Sequence, residues 1–240
     1  MSAPDRVERL AVVVPVNDEE SLLPRALTSL EAAVARVGTE RPDVRVEVVL
    51  VLDDCTDDSE ALARSSPFTV VETAFRRVGA ARAAGVEAAA SALGGDLPAG
   101  LWIASTDADS AVPPHWLVHQ VALAEAGADL VIGTVRPDFD DLTPAQRAAW
   151  LATHPAGRAN GHVHGANLGI RGDLYVAAGG FPAVAEHEDV DLVARARHAG
   201  ARVVASDHGC VLTSGRAAGR TPGGYARHLR EDLVRAAATG

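Results

Sequence analysis

The chain has 240 residues, 48% of them hydrophobic, and a formal charge of −10; that is enough length and apolar material for one large domain with a sizeable core. The charge is divided: residues 1–150 hold 24 acids against 12 arginines, and residues 151–240 hold 8 acids against 10 arginines. This suits an acidic metal site facing phosphates and lacks the basic stripe of a nucleic-acid binder. Lysine is absent altogether, which removes the P-loop, Schiff-base chemistry and every other mechanism that needs a catalytic lysine.

No apolar run approaches the ~20 residues of a membrane-spanning helix, and Met1–Arg6 has no signal-peptide core. The expectation is a soluble cytoplasmic protein without a transmembrane segment. Cys55 and Cys210 match no metal spacing and read as two buried thiols.

Strand and helix signals alternate from the start. Leu10–Val16 is continuously apolar and reads as a buried strand. Ser21 is placed to cap a helix with Pro24 in its first turn, carrying Leu23, Ala26, Leu27, Leu30, Val34 and Val37 at helical spacing. Val44–Leu52 is a second strand, Thr56-Asp57-Asp58 opens a short helix to Ser65, and Phe68–Glu72 is a third strand. An alanine-rich helix over Val78–Leu93 precedes a fourth strand, Leu101–Ser105. Pro113-Pro114 starts a helix to about Ala126, and Asp129–Gly133 is a fifth strand.

This alternation predicts an α/β fold with a mostly parallel sheet and helices on both faces, its functional loops at the carboxyl ends of the strands. After Gly133 the rhythm breaks. The prolines of Thr134–His164 leave one helix near Pro144–Leu151, and a smaller block follows. It holds a strand near Ala166–Ile170, a helix over Glu188–Ala199, a strand at Arg202–Ala205 and a last helix from Tyr225.

The strongest local feature is Asp107-Ala108-Asp109, directly after a buried strand. Carboxylates at i and i+2 of an extended chain point the same way, and together they can hold a divalent cation that bridges two phosphates. The same acids in a turn also suit a helix cap. Glu186-His187-Glu188-Asp189-Val190-Asp191 packs four acids into six positions, more than a helix start requires.

Five ordered blocks, from about residue 10 to residue 216, resemble the family 2 glycosyltransferases of the GT-A fold. They are Val12–Glu20, Val49–Ser59, Asp107–Asp109, His164–Arg171 with Gly179-Gly180-Phe181, and Glu188–Leu192. The resemblance implies a single GT-A domain, a Rossmann-like sandwich. Residues 8–133 would be its nucleotide-sugar-binding half and 134–240 its smaller acceptor-binding half. It implies that Pro15, Asn17, Glu19 and Asp53 line the base and ribose of a nucleotide-diphospho-sugar, a UDP- or GDP-sugar, with Asp107 and Arg82 also on the donor. Leu52 stands where the family carries an acid.

Asp107 and Asp109 would hold Mn²⁺ or Mg²⁺, with His208 as a third ligand. Asp189 and Glu188 would be the catalytic pair, with Asp189 as the general base of an inverting transfer. His164, Gly165 and Asn167 would face a hydroxyl acceptor, small or lipid-linked. Arg216 and Arg220, in a glycine-rich loop, would close over the diphosphate. A retaining relative acting on a small phosphorylated acceptor and a catalytically degenerate nucleotide-binding module are the alternatives. A dinucleotide oxidoreductase is excluded because Val14-Pro15-Val16-Asn17 stands where Gly-x-Gly-x-x-Gly is needed. A homodimer is left open.

Overall fold

The structure, a computed structural model, describes residues 6–95, 100–220 and 223–233. Among these residues seven strands form one sheet in the order β3-β2-β1-β4-β6-β5-β7. They are β1 (Arg9–Val16), β2 (Arg45–Asp53), β3 (Thr69–Thr73), β4 (Leu101–Ser105), β5 (Leu130–Pro137), β6 (Leu168–Arg171) and β7 (Val203–Thr213). Only β6 runs against the rest, pairing antiparallel with β4 and β5. The other six strands therefore end on one edge, and β6 begins there.

β1 explains why the sheet is covered on both sides. Leu10, Val12, Val14 and Val16 point into one core and Ala11 and Val13 into the other, because side chains alternate with period two. The first core is closed by α1 (Leu23–Glu40), α2 (Ser59–Ser65) and α4 (Trp116–Glu125). α1 buries Leu23, Ala26, Leu27, Leu30, Ala33 and Val37, a stripe of helical period whose larger members each contribute about 1.5–3 kcal/mol. The second core lies under α3 (Val78–Ala92), α6 (Gly172–Ala177) and α7 (Glu188–His198). α3 approaches closely because Gly85 has no side chain; a Cβ there would run into Val13 and Val51. α5 (Pro144–Thr153) and the short α8 (Tyr225–Arg227), continued by a wider turn over His228–Asp232, build a third cluster around Trp150, Leu229 and Leu233.

Several local expectations are corrected. Ser21 does not cap α1: Leu22 occupies that position without a side-chain bond, and Pro24 sits in the first turn. α2 begins after Asp58, and it is Asp57 that accepts the Ser59 N–H at 2.9 Å. α6 is an additional helix that no sequence pattern announces, being six residues without a repeated apolar stripe. β7 runs to Thr213, well beyond Ala205, because pairing with β5 resumes over Val135–Pro137 after an irregularity. β6 and β7 lie in the same sheet as the first five strands, so the boundary near residue 133 does not separate two sheets.

Candidate active site

The shared strand edge opens into a cleft of about 930 Å³. At one end, the loops after β1 and β2 lock each other. Asp18 and Asp54 take left-handed backbone, at φ 51° and 58°, a conformation that aspartate tolerates better than most residues. Asp18 accepts the N–H groups of Thr56 (2.6 Å) and Asp57 (3.2 Å), Asp57 accepts that of Glu20 (3.0 Å), and Glu20 accepts that of Asp58 (3.1 Å). Asn17 donates to the Asp53 carbonyl at 2.7 Å, and Pro15 lines the cleft beside it.

Asp53 differs from expectation. Its buried carboxylate accepts from the Thr73 hydroxyl and from the backbone N–H groups of Phe75, Arg76 and Arg77, at 2.6–3.1 Å. Most of its capacity therefore holds the loop after β3 in place. Leu52 is 3% exposed and belongs to the core beneath α1, so a leucine there removes no acid from the cleft.

The middle of the cleft is a web of acids and arginines. Arg82 is buried and was expected at the donor. Its Nη2 meets Asp107 at 2.5 Å, Nε meets Glu188 at 2.9 Å, and Nη1 donates to Ser105 and to the Gly165 carbonyl. The guanidinium is thus occupied by the protein's own groups. Gly165 makes room for it, since a Cβ there would collide with the guanidinium.

Asp109 meets Arg216 at 3.2 Å and accepts from Ser110 at 3.0 Å. Burial, and then the neighbouring Asp107 charge, push its carboxyl up to about 6. Burial likewise pushes Glu188 up, against the pull of Arg82. Glu188, expected to be catalytic, faces Arg82 and is 4% exposed. Arg216 and Arg220 do not lie open for phosphate. Arg216 holds Glu19 through two 2.7 Å bonds, and Arg220 reaches the same carboxylate at 3.4 Å. Glu19 is thereby the anchor of the loop after β7, while Thr221 and Pro222 of that loop lie outside the described residues.

At the other end, Asp189 stands in the first turn of α7, where a helix N-terminus favours a carboxylate. Its Oδ2 accepts the Gly165 N–H at 2.6 Å and its Oδ1 the Val190 N–H at 2.8 Å. His164 lines the cleft beside it, and burial pushes its imidazole down to about 4. Tyr225 sits edge-on to His164, with ring centroids 5.5 Å apart, and His228 stacks on Tyr225 at 6.0 Å. Neither Tyr225 nor His228 was singled out from sequence. They belong to a helix with no visible motif; Tyr225 is held by packing on the Trp150 cluster and His228 by stacking on Tyr225.

Two expected residues fall elsewhere. Asn167 is 2% exposed; its Nδ2 donates to the Thr134 and Gly209 carbonyls at 2.8 Å, and its Oδ1 accepts from Trp116 Nε1 at 2.8 Å. It joins β5, β7 and α4 and does not line the cleft. His208 packs its ring against His115 and His119, each at 4.7 Å between centroids, on the α4 face of β7. It too is absent from the cleft wall, so the structure does not bring it to Asp107 and Asp109. Sequence distance hid this, because the side-chain direction along β7 depends on its register with β5.

The fold is that of the GT-A glycosyltransferases. S. aureus TarS residues 1–349 superimposes with a TM-score of 0.63 at 15% identity, over 96% of this chain and 64% of that one. The mannosyltransferase PcManGT from Pyrobaculum calidifontis, solved with GDP-Man and Mn²⁺, gives 0.61 at 22% identity over 94% and 61%. The family model for glycosyl transferase family 2 matches residues 11–171, and the chain belongs to that family. Among curated relatives, an undecaprenyl-phosphate 4-deoxy-4-formamido-L-arabinose transferase from Klebsiella pneumoniae is 31% identical over 164 residues, covering 66% of this chain and 46% of the relative. The counterpart from Pseudomonas savastanoi is 35% identical over 144 residues, 58% and 39% of the two chains. The chain thus spans less than half the length of these curated relatives.

Proposed function

We propose that the chain transfers a sugar from a nucleoside-diphosphate donor to a hydroxyl acceptor, with inversion and with Asp189 as general base. The observation that carries this reading is a shared wall. Asp107 and Asp109 at the end of β4 and Asp189 at the start of α7 line one cleft, whose far end is closed by the loops after β1 and β2.

The N–H groups of Gly165 and Val190 aim the Asp189 carboxylate, so that it can take the proton from the acceptor hydroxyl. As that oxygen bonds to the anomeric carbon, the bond to the diphosphate breaks, and no covalent enzyme intermediate is needed. Glu188 acts through Arg82, which fixes Asp107, and is a positioning residue. Arg216 and Arg220 are the cations of the closing loop that would turn from Glu19 toward the diphosphate.

Asp107 and Asp109 suit a hard divalent cation. They are neighbouring carboxylates, and Asp109 is half-buried and raised to about 6 by desolvation and by Asp107, with Arg216 as partial compensation. Mn²⁺ or Mg²⁺ held there would neutralise charge on the departing diphosphate. Among the described residues no third His, Cys, Asp or Glu completes a protein ligand set, so donor oxygens and water would supply the rest, and His208 is left out. Neighbouring folds solved with GDP-Man and Mn²⁺, or with UDP and Mg²⁺, support this choice of donor and metal. Among the described residues no helix is long and apolar enough to cross a membrane, and the expectation of cytoplasmic work on a small or lipid-linked acceptor stands as part of the proposal.

The test is thermal shift and calorimetry with UDP, GDP, TDP and CDP, each with and without Mn²⁺. One diphosphate should stabilise the wild type only with metal. Asp109→Asn should lose that response, while His208→Ala should keep it. No nucleotide binding under any condition would end the transferase reading.

A further inference from the structure

The acceptor end of the cleft differs in chemistry from the rest. Its lining comes from residues 162–166, 185–190 and 223–228, and none of these lining residues is an arginine. The arginines of the cleft, Arg76, Arg77, Arg82, Arg216 and Arg220, come from the loop after β3, from α3 and from the loop after β7. Four of them, Arg76, Arg82, Arg216 and Arg220, already meet acids, Arg76 pairing with Asp54 at 2.5 Å.

What the acceptor end has instead is a wall of rings. His162, His164, Tyr225 and His228 follow one another at centroid distances of 6.4, 5.5 and 6.0 Å, the first two contacts edge-on and the third stacked. The wall is backed by Trp150 and Leu229, against which Tyr225 packs, so it is held in shape before any ligand arrives. Two carboxylates flank it. Asp189 is bonded to the N–H of the residue next to His164. Glu186 accepts the Gly223 N–H at 2.8 Å, tying this segment to that of Tyr225.

Resting on the transferase reading above, we propose that the acceptor is a neutral carbohydrate, packed against the His162–His164–Tyr225–His228 wall with its hydroxyls toward Glu186 and Asp189. The chemistry is that of a sugar. The C–H face of a pyranose carries slight positive charge and meets the negative π-face of aromatic rings, while carboxylates accept its hydroxyl protons. Burial holds His164 down to about 4 and pushes His228 down as well, disfavouring a cation on either imidazole. Among the described residues, a phosphate monoester would meet two carboxylates and no arginine from this wall, an arrangement that disfavours an anion. This separates the chain from its curated relatives, whose names give undecaprenyl phosphate as the acceptor.

The experiment uses the full chain with Mn²⁺ and the nucleotide sugar whose diphosphate binds. Nucleotide release is measured with methyl glycosides of glucose, galactose, mannose and N-acetylglucosamine, and in parallel with farnesyl phosphate and 3-phosphoglycerate. A methyl glycoside should stimulate release and the two phosphates should not. His162→Ala and His228→Ala should each raise the glycoside KM by roughly tenfold, about 1.4 kcal/mol, with donor affinity unchanged. Tyr225→Leu should do the same and Tyr225→Phe should restore the wild-type value. Farnesyl phosphate or 3-phosphoglycerate acting as acceptor while every glycoside fails would overturn the proposal, as would glycoside KM values indifferent to these substitutions. Intact nucleotide binding with no glycoside use sinks this inference alone, whereas loss of nucleotide binding in the wild type sinks the transferase reading with it.

Discussion

The two ends of the cleft are built on different principles. The donor end is fastened by short-range logic: each loop follows a parallel strand, and acids such as Asp18, Asp53 and Asp57 hold backbone N–H groups of the neighbouring loop. The acceptor end is assembled from three segments far apart in the chain, around residues 164, 189 and 225, joined by the Gly165 N–H bond to Asp189, the Gly223 N–H bond to Glu186 and ring packing. The first end can be read as a run of motifs at strand ends. The second exists only because β6 enters the sheet against its neighbours and delivers Gly165 to the same edge.

This contrast can be broken or sharpened by substitution. Asp189→Asn should give the largest functional effect, a fall in kcat of about 10²–10⁴-fold with the diphosphate affinity of the wild type; single-turnover rates beside nucleotide calorimetry would check both halves. Arg82→Met should couple both ends at once. It strands Asp107 and Glu188, the latter buried, without their cation, and the loss expected for breaking a buried pair is about 3–5 kcal/mol, measurable as a lowered urea midpoint. A stability close to wild type would show that the web is held by something other than Arg82.

Asn167→Ala should cost about 1–3 kcal/mol, through the carbonyls and the indole N–H it leaves unpaired. Acceptor KM should stay unchanged, because the side chain joins strands and does not face the cleft. A changed KM with unchanged stability would return Asn167 to the acceptor site.

The smallest effect is a pH dependence. Because the folded His164 titrates near 4, below its ordinary 6.5, the unfolded chain binds the extra proton in that interval. Its contribution is therefore full above about 6.5 and lost as pH falls toward 4. Melting temperatures of His164→Gln should decline less over this interval than those of the wild type, and equal slopes would place His164 in water.

Much of the donor end was legible. The apolar runs of β1, β2 and β4, each ending in a polar signature, sufficed to place Asn17, Asp53 and Asp107 on one edge, because parallel strands joined by helices have their carboxyl ends together. The residue types in those loops also suggested ligand contacts, and here the structure divides the roles differently. Asp53 and Arg82 are carboxylate and guanidinium, yet most of their bonds are made within the protein. A sequence displays a side chain's chemistry and not how much of it the fold consumes.

What the amino-acid sequence determined by itself is the alternation of strand and helix, the two-sided burial of the sheet and the positions of the acids at strand and helix ends. These follow from local period and turn chemistry, which act within about ten residues. What only the tertiary structure decided is which side chains remain available. The direction of β6, the register of β7 that turns His208 toward α4, the burial of Glu188 on Arg82 and the ring wall from His162 to His228 all depend on contacts between segments dozens of residues apart. Long-range packing sets them, and no local pattern in the chain carries that information.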